Sequence, residues 1–429
     1  MTPAPDAHTL AGRLATRLPF FYGWIIVAVG FISSLFSIGL TWAAGLLAVP
    51  MGAELQWSRS AFFFAVSLRG WVGIVVTPFM GPYLDRLNGP RTLALAGGLL
   101  NTGSLLLIPL MDSEWQFIAL FGVIGGIAQA AQGGISSAIV PKWFVRRRGS
   151  AVAISTLGGS LAAVFLPPLV AVLTGAAGWR GTWLALGVLA FLTGTLPAVL
   201  LRRQPEDLGL LPDGGQATDS PGRPLGAHRV EERSFTLDEA WRTNAFWGLL
   251  VGIAVGSLVT SGIPASLAPI FVDRGFAFEI AASALVWYGL ASIATKLAWG
   301  WVANRFPVRG ALLILTLYGT VAMPSILLFP EVGPLVYSFL CGIYIGAYFF
   351  LSQMVWAEYF GRAHVGAISA LGRPMGLMVG ASGPFLLAFT RDLTGSYDLG
   401  IWLNALSAAL CFGCLILVRP VRRSGGGRA

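Results

Sequence analysis

Three cations stand inside apolar stretches of the sequence. Lys296 lies within Gly289 to Arg305, Arg69 within the run that begins near Ser60, and Arg373 within Ala370-Leu-Gly-Arg373-Pro374. No acid lies comparably deep, because Glu54, Glu279, Glu331 and Glu358 all fall at the ends of apolar runs. A charge in hydrocarbon is costly and as a rule faces a cavity or a partner. Three cations without an acid therefore imply a cavity for an anion, and a carboxylate has the right charge. Lys296 is eight residues from Asn304, about 12 Å along a helix, so reaching the interface by snorkelling would be strained. Arg69 is ten residues past Arg59 and twelve before Gly81. Its depth leaves two roles open, an anion contact or a bond to exposed backbone carbonyls. Pro374 lacks a backbone N–H and opens its helix locally, which membrane helices tolerate beside cavities. Uncharged donors accompany the cations: Gln129 and Gln132 in one run, Tyr344 and Tyr348 in another. The tyrosines are four apart and share a helix face.

The elements that must position these residues are membrane spans. The chain of 429 residues is 55% hydrophobic and only 11% charged, against about a quarter charged in soluble domains. Mean hydropathy is +0.74. With about 20 apolar residues per span, twelve spans are predicted: 22–49, 60–83, 92–111, 115–140, 150–175, 182–201, 245–270, 280–303, 310–329, 333–357, 365–389 and 398–418. The expected fold is an all-α membrane protein of 12 transmembrane helices in two pseudo-symmetric six-helix bundles, 22–201 and 245–418. A tail at 1–21, a linker at 202–244 and a tail at 419–429 complete the division. The linker is rich in Pro, Gly, Asp and Arg, with one short surface helix expected near Phe235 to Trp241.

Charge sets the expected orientation. Arg13, Arg17, Arg86, Arg91, Lys142, Arg146 to Arg148, Arg305, Arg309, Arg362 and the tail arginines fall on one side, and Arg59, Arg180, Arg274 and Arg391 on the other. Both termini are therefore expected in the cytoplasm. The net charge of +9 reports topology, not nucleic-acid binding. The apolar run from Phe20 to Met51 is too long for a signal-peptide core and lacks a suitable cleavage site. Cys341, Cys411 and Cys414 sit in apolar segments and read as small packing residues. No cofactor or metal is expected. Abundant arginine, alanine and glycine point to a bacterial source and hence an inner membrane.

The sequence also repeats itself. Gly81-Pro-Tyr-Leu-Asp85-Arg86 followed by Arg91 is echoed by Gly300-Trp-Val-Ala-Asn304-Arg305 followed by Arg309. Trp143-Phe144-Val-Arg146 is echoed by Tyr359-Phe360-Gly-Arg362. Two parallel six-span halves place a substrate site near the bilayer midplane. Six plus six spans, a central linker and this loop resemble the major facilitator superfamily over essentially the whole chain. Within it the chain is most similar to the monocarboxylate porter and oxalate/formate antiporter branch. Phe21-Tyr22-Gly23-Trp24, Trp57-Ser58-Arg59, Gly178-Trp179-Arg180 and Phe360-Gly361-Arg362 carry that likeness. The loop departs from the usual pattern, with Leu87 and Asn88 before Gly89.

The resemblance implies a secondary active transporter of small organic anions, mono- or dicarboxylates, working by alternating access as proton symporter or anion exchanger. It implies a monomer in the lipid bilayer and not an enzyme. Lys296 occupies the position four residues before Gly300 at which the branch keeps a carboxylate-binding arginine. Lysine keeps the charge and loses the planar fork. Arg373 stands near a second substrate-binding cation of oxalate-type relatives, and span-ten aromatics line the site. The implied substrate set is Lys296, Arg373, Tyr344, Tyr348, Gln129 and Arg69. The implied conformational latch is Gly81, Asp85, Arg86, Arg91, Asn304 and Arg305. Proton-linked porters typically carry an aspartate one turn before the span-eight cation, and Ser292 stands there instead. The rival readings are an exporter of drug-like solutes, disfavoured by the lack of an intramembrane acid, and a non-transporting sensor, disfavoured by the short polar linker.

Overall fold

Without water in the hydrocarbon, a backbone must satisfy its own hydrogen bonds, so spanning segments of this composition become helices. The computed structural model describes residues 19–84, 86–135, 139–144, 147–214, 237–302, 307–329, 332–360 and 374–418. The chain divides into two compact units, Met1–Pro224 and Leu225–Ala429. The first carries α1 (Gly23–Leu55), α2 (Arg59–Leu84), α3 (Gly89–Leu107), α4 (Glu114–Phe117, running on through a π turn at Ile118–Ile124 into Gly125–Gly134) and α5 (Arg148–Ala190). The second carries α6 (Asn244–Gly256), α7 (Leu258–Asp273), α8 (Phe278–Val302), α9 (Val308–Ala322), α10 (Pro334–Phe360), α11 (Gly383–Thr394) and α12 (Asp398–Leu417).

Ten helices among the described residues are long and apolar enough to cross a membrane. The expected twelve spans are consistent with this number. Span eleven falls partly on residues 361–373, outside the described residues, and α5 holds two spans rather than one. Gly178 interrupts α5 with φ 65° and ψ −178°, a backbone state that glycine adopts at no steric cost. Thr174 and Thr182 would be about 12 Å apart along a straight helix, yet their hydroxyls meet at 3.1 Å. The chain therefore reverses at Gly178, and spans five and six are antiparallel arms. Span seven is likewise one crossing in two pieces, α6 and α7, broken at Ser257.

Each unit closes its ends with the same devices. At the end where each half begins, the Trp143 indole donates to the Arg202 carbonyl (3.3 Å) and the Tyr359 hydroxyl to the Val418 carbonyl (2.8 Å), both across 59 residues. The repeat seen between Trp143-Phe144 and Tyr359-Phe360 is thus a repeat of contacts. Around Trp143 a core of Tyr22, Ile26, Ile139, Phe144 and Leu201 takes in Leu208 as well. The start of the expected linker is therefore packed against the first unit, because Leu208 and Leu210 supply an apolar side. A short helix stands at Leu237–Trp241, within the stretch expected from Phe235.

At the opposite ends, the four arginines read from sequence as topology markers all make bonds. Arg59 donates to the Ala48 carbonyl, and Arg180 pairs with Glu54, which also accepts from the Trp179 indole (2.7 Å). In the second unit Arg391 pairs with Asp273 and Arg274 with Asp398, each at 3.0 Å.

Candidate functional site

In the second unit span seven is interrupted at Ser257. Ser257 ends the α6 ladder, and its hydroxyl lies 2.6 Å from the Gly376 carbonyl of span eleven. One turn on, the Ser261 hydroxyl donates to the Gly380 carbonyl. Pro384 has no N–H to offer that carbonyl, so the serine replaces a missing helical bond. On the other side of the break, the Tyr348 hydroxyl donates to the Ile253 carbonyl at 2.8 Å. The discontinuity is therefore braced from two neighbouring spans. Discontinuous helices of this kind are found near binding sites at the bilayer midplane.

Lys296 sits on α8, partly buried, with Thr295 turned back onto the Ala291 carbonyl (2.6 Å). One turn earlier Ser292 is only 5% exposed. A Cβ on Gly346 would fall 2.6 Å from the Ser292 carbonyl oxygen and 2.9 Å from its hydroxyl. So α8 and α10 meet backbone to backbone there, and only glycine at 346 permits it. Ser292, the residue one turn before Lys296, is thus held at the α8–α10 contact.

Tyr344 and Tyr348 stack on each other with ring centroids 5.3 Å apart, and they are 0% and 1% exposed. They point toward α6, α9 and α12: Tyr348 reaches Ile253 and Cys411, and Tyr344 lies against Gly319. Two residues along a helix turn it by about 200°, so this face of α10 is opposite the Gly346 face that meets α8. The structure does not bring the tyrosine pair beside Lys296; it places the pair behind α10, bracing span seven. The Tyr344 hydroxyl has no hydrogen-bond partner among the described residues. Arg373 lies outside the described residues, three positions before Gly376.

In the first unit Arg69 is 4% exposed. Its Nε–H donates to Gln129 Oε1 (3.1 Å), one terminal nitrogen to Asn101 Oδ1 (3.0 Å), and the other makes a long contact with the Phe121 carbonyl (3.5 Å). The guanidinium also lies over the Phe121 ring, 4.9 Å from its centroid. Arg69 and Gln129 are thus brought together, joined by Asn101, which sequence reasoning missed. Asn101 and Arg69 are 32 residues apart on different spans, and no local pattern signals their contact.

The latch residues divide. Gly81 lies in the last turn of α2, Arg86 covers the Tyr83 ring at 4.4 Å, and Arg91 sits half-buried in the first turn of α3. Asp85, Asn304 and Arg305 lie outside the described residues. Arg309, the counterpart of Arg91, proves to be a staple. Its guanidinium donates to the Leu415 carbonyl (2.9 and 3.2 Å) and the Ile416 carbonyl (3.2 Å) at the end of α12. Its backbone N–H donates to Glu358 (3.1 Å). A cation at a helix C-terminus and an acid at a helix N-terminus both suit the helix dipole.

Among the described residues no His, Cys, Asp and Glu group could hold a metal ion.

Residues 27–384 match the Major Facilitator Superfamily. Monocarboxylate transporter 11 of Homo sapiens is 24% identical over 421 residues, covering 94% of this chain and 82% of the relative. An uncharacterized MFS-type transporter of Bacillus subtilis (strain 168), YcxA, is 25% identical over 296 residues, 66% of each chain. A crystal structure of a D-xylose-proton symporter superposes with a TM-score of 0.71 at 14% identity, over 95% of this chain and all of that one. At that identity the likeness shows the fold alone.

Proposed function

Since the chain belongs to the major facilitator superfamily and is a transport protein, not an enzyme, we propose that it carries small organic anions, mono- or dicarboxylates, by alternating access. The observation that supports this most is Lys296, a cation partly buried in a membrane-spanning helix. The similarity to relatives named monocarboxylate transporters supports the same substrate class. Lys296 and Arg373 are the anion clamp in this reading. Gln129 is a neutral contact, with Arg69 beside it. Tyr344 and Tyr348 set the position of α10 behind the clamp. Gly81, Asp85, Arg86, Arg91, Asn304 and Arg305 form the latch between conformations.

The cycle favoured is anion exchange. Ser292, which carries no ionisable group, stands where proton-linked relatives keep an aspartate. The protein is read as a monomer in a bacterial inner membrane, with both termini and the 202–244 linker in the cytoplasm.

Uptake by purified protein in proteoliposomes tests the proposal, using labelled lactate, pyruvate, oxalate and formate. The expected result is accumulation of at least one carboxylate, stimulated by unlabelled anion inside and little changed by a pH gradient. Lys296→Ala should lower it about a hundredfold, the loss expected when a charge-assisted contact is removed. Failure of all four to enter, or full activity of Lys296→Ala, would remove the basis of the reading.

A further inference from the structure

The Arg69 cluster fixes the orientation of a side chain that would otherwise be free to turn. A guanidinium has only donors, and an amide has a carbonyl acceptor at one end and an NH2 donor at the other. Because Arg69 Nε–H points at Gln129 from 3.1 Å, the oxygen must face the arginine and the amide nitrogen must face away. Among the described residues no hydrogen bond uses that nitrogen, and Gln129 is only half-buried. The nitrogen lies on the side of Gly73, one turn beyond Arg69 on α2, where a Cβ would be 3.8 Å from it.

The arginine itself has no freedom to follow the amide. Asn101 on α3 takes one terminal nitrogen, and the Phe121 carbonyl and ring on α4 confine the rest. All its acceptors are neutral, so the positive charge persists and adds an attractive field for an anion beyond Gln129.

We propose that Arg69 is a positioning residue and that the amide nitrogen of Gln129 is the substrate contact of the N-terminal half, donating to a carboxylate oxygen. The proposal rests on the anion-carrier reading above and adds a rule of selectivity to it. A glutamine free to flip accepts anions and cations alike, whereas one held by its oxygen presents only a donor. A carboxylate then meets donors with both oxygens, whereas a primary amide is disfavoured, because turning its C=O to Gln129 turns its NH2 to the donors of the Lys296 and Arg373 clamp.

The test is a double-mutant cycle on lactate uptake in proteoliposomes, with lactamide as the competing neutral analogue. Gln129→Leu should raise KM for lactate about tenfold, the worth of one hydrogen bond to a charged group. Vmax per folded transporter should stay within about twofold, because the contact serves binding. Arg69→Lys should raise KM similarly and make lactamide a better competitor. The double variant should be no worse than either single one, since Arg69 acts only through Gln129. Should Arg69→Lys fail to fold, Asn101→Leu loosens the same guanidinium from α3 and should produce the same KM and lactamide changes. An unchanged KM in Gln129→Leu, or multiplying effects in the double variant, would overturn the proposal while leaving the carrier reading intact. If the parent protein moves no carboxylate at all, the carrier reading falls and this assignment falls with it.

Discussion

Each half of the molecule holds a cation within its membrane helices, and the two are held differently. In the N-terminal half Arg69 is fully inside the bundle and spends its donors on Gln129, Asn101 and the Phe121 carbonyl. In the C-terminal half Lys296 keeps partial exposure on α8. In the same half α6 and α7 are interrupted at Ser257, and span eleven is tied to that point by serine hydroxyls. Arg69 works as a clasp between three helices, and Lys296 is the cation assigned to the substrate in the proposed reading. Burial separates the two: Arg69 is 4% exposed, and Lys296 is only partly buried. A guanidinium presents five donors in a fixed plane, and an ammonium presents three that turn freely.

The contrast is open to direct attack. Lys296→Ala should lose transport about a hundredfold while its melting temperature stays within about 2 °C of the parent, because removing a costly charge leaves no deep cavity. A large fall in stability would mean that Lys296 is a clasp too. Arg69→Leu should do the reverse, losing about 3 kcal/mol as Gln129 and Asn101 are left without their donor. Thermal unfolding in detergent followed by tryptophan fluorescence would measure it, and an unchanged melting point would mean the cluster is incidental. Gly346→Ala should cost about 2 kcal/mol by forcing α8 and α10 apart at Ser292, with a matching fall in transport through the displaced Lys296. Tyr348→Phe should be the mildest. It removes one hydrogen bond to a carbonyl that the Ser257 N–H also serves, and it should cost about 1 kcal/mol with transport retained. Abolished transport would instead place Tyr348 at the substrate.

Much of the architecture was readable in the sequence because hydrophobic length and loop charge are local signals. The chain reversal at Gly178 was marked by Gly178-Trp179-Arg180, and the repeat by Trp143-Phe144 and Tyr359-Phe360. What was not readable depends on which helix faces which. Tyr344 and Tyr348 share a face by spacing, yet spacing does not say that this face turns from α8 toward α6, α9 and α12. Gly346 and Ser292 are far apart in sequence, and only their packing explains why a glycine stands at 346. Arg309 resembles any positive-inside marker until its bonds to Leu415 and Ile416 are seen. Likewise Leu208 sits among Pro, Asp and Gly, so composition assigned it to a linker although its side chain is buried in the first unit.

The central claim is that this transporter carries carboxylates and that Lys296 is the group that recognises them. Counterflow tests it most directly. Proteoliposomes loaded with unlabelled lactate or oxalate are diluted into a trace of the same labelled anion, with parent protein and with Lys296→Ala. The expected result is a transient rise of label inside vesicles bearing the parent protein and none with Lys296→Ala. Equal counterflow by the two proteins, or no counterflow of either anion by the parent, would contradict it.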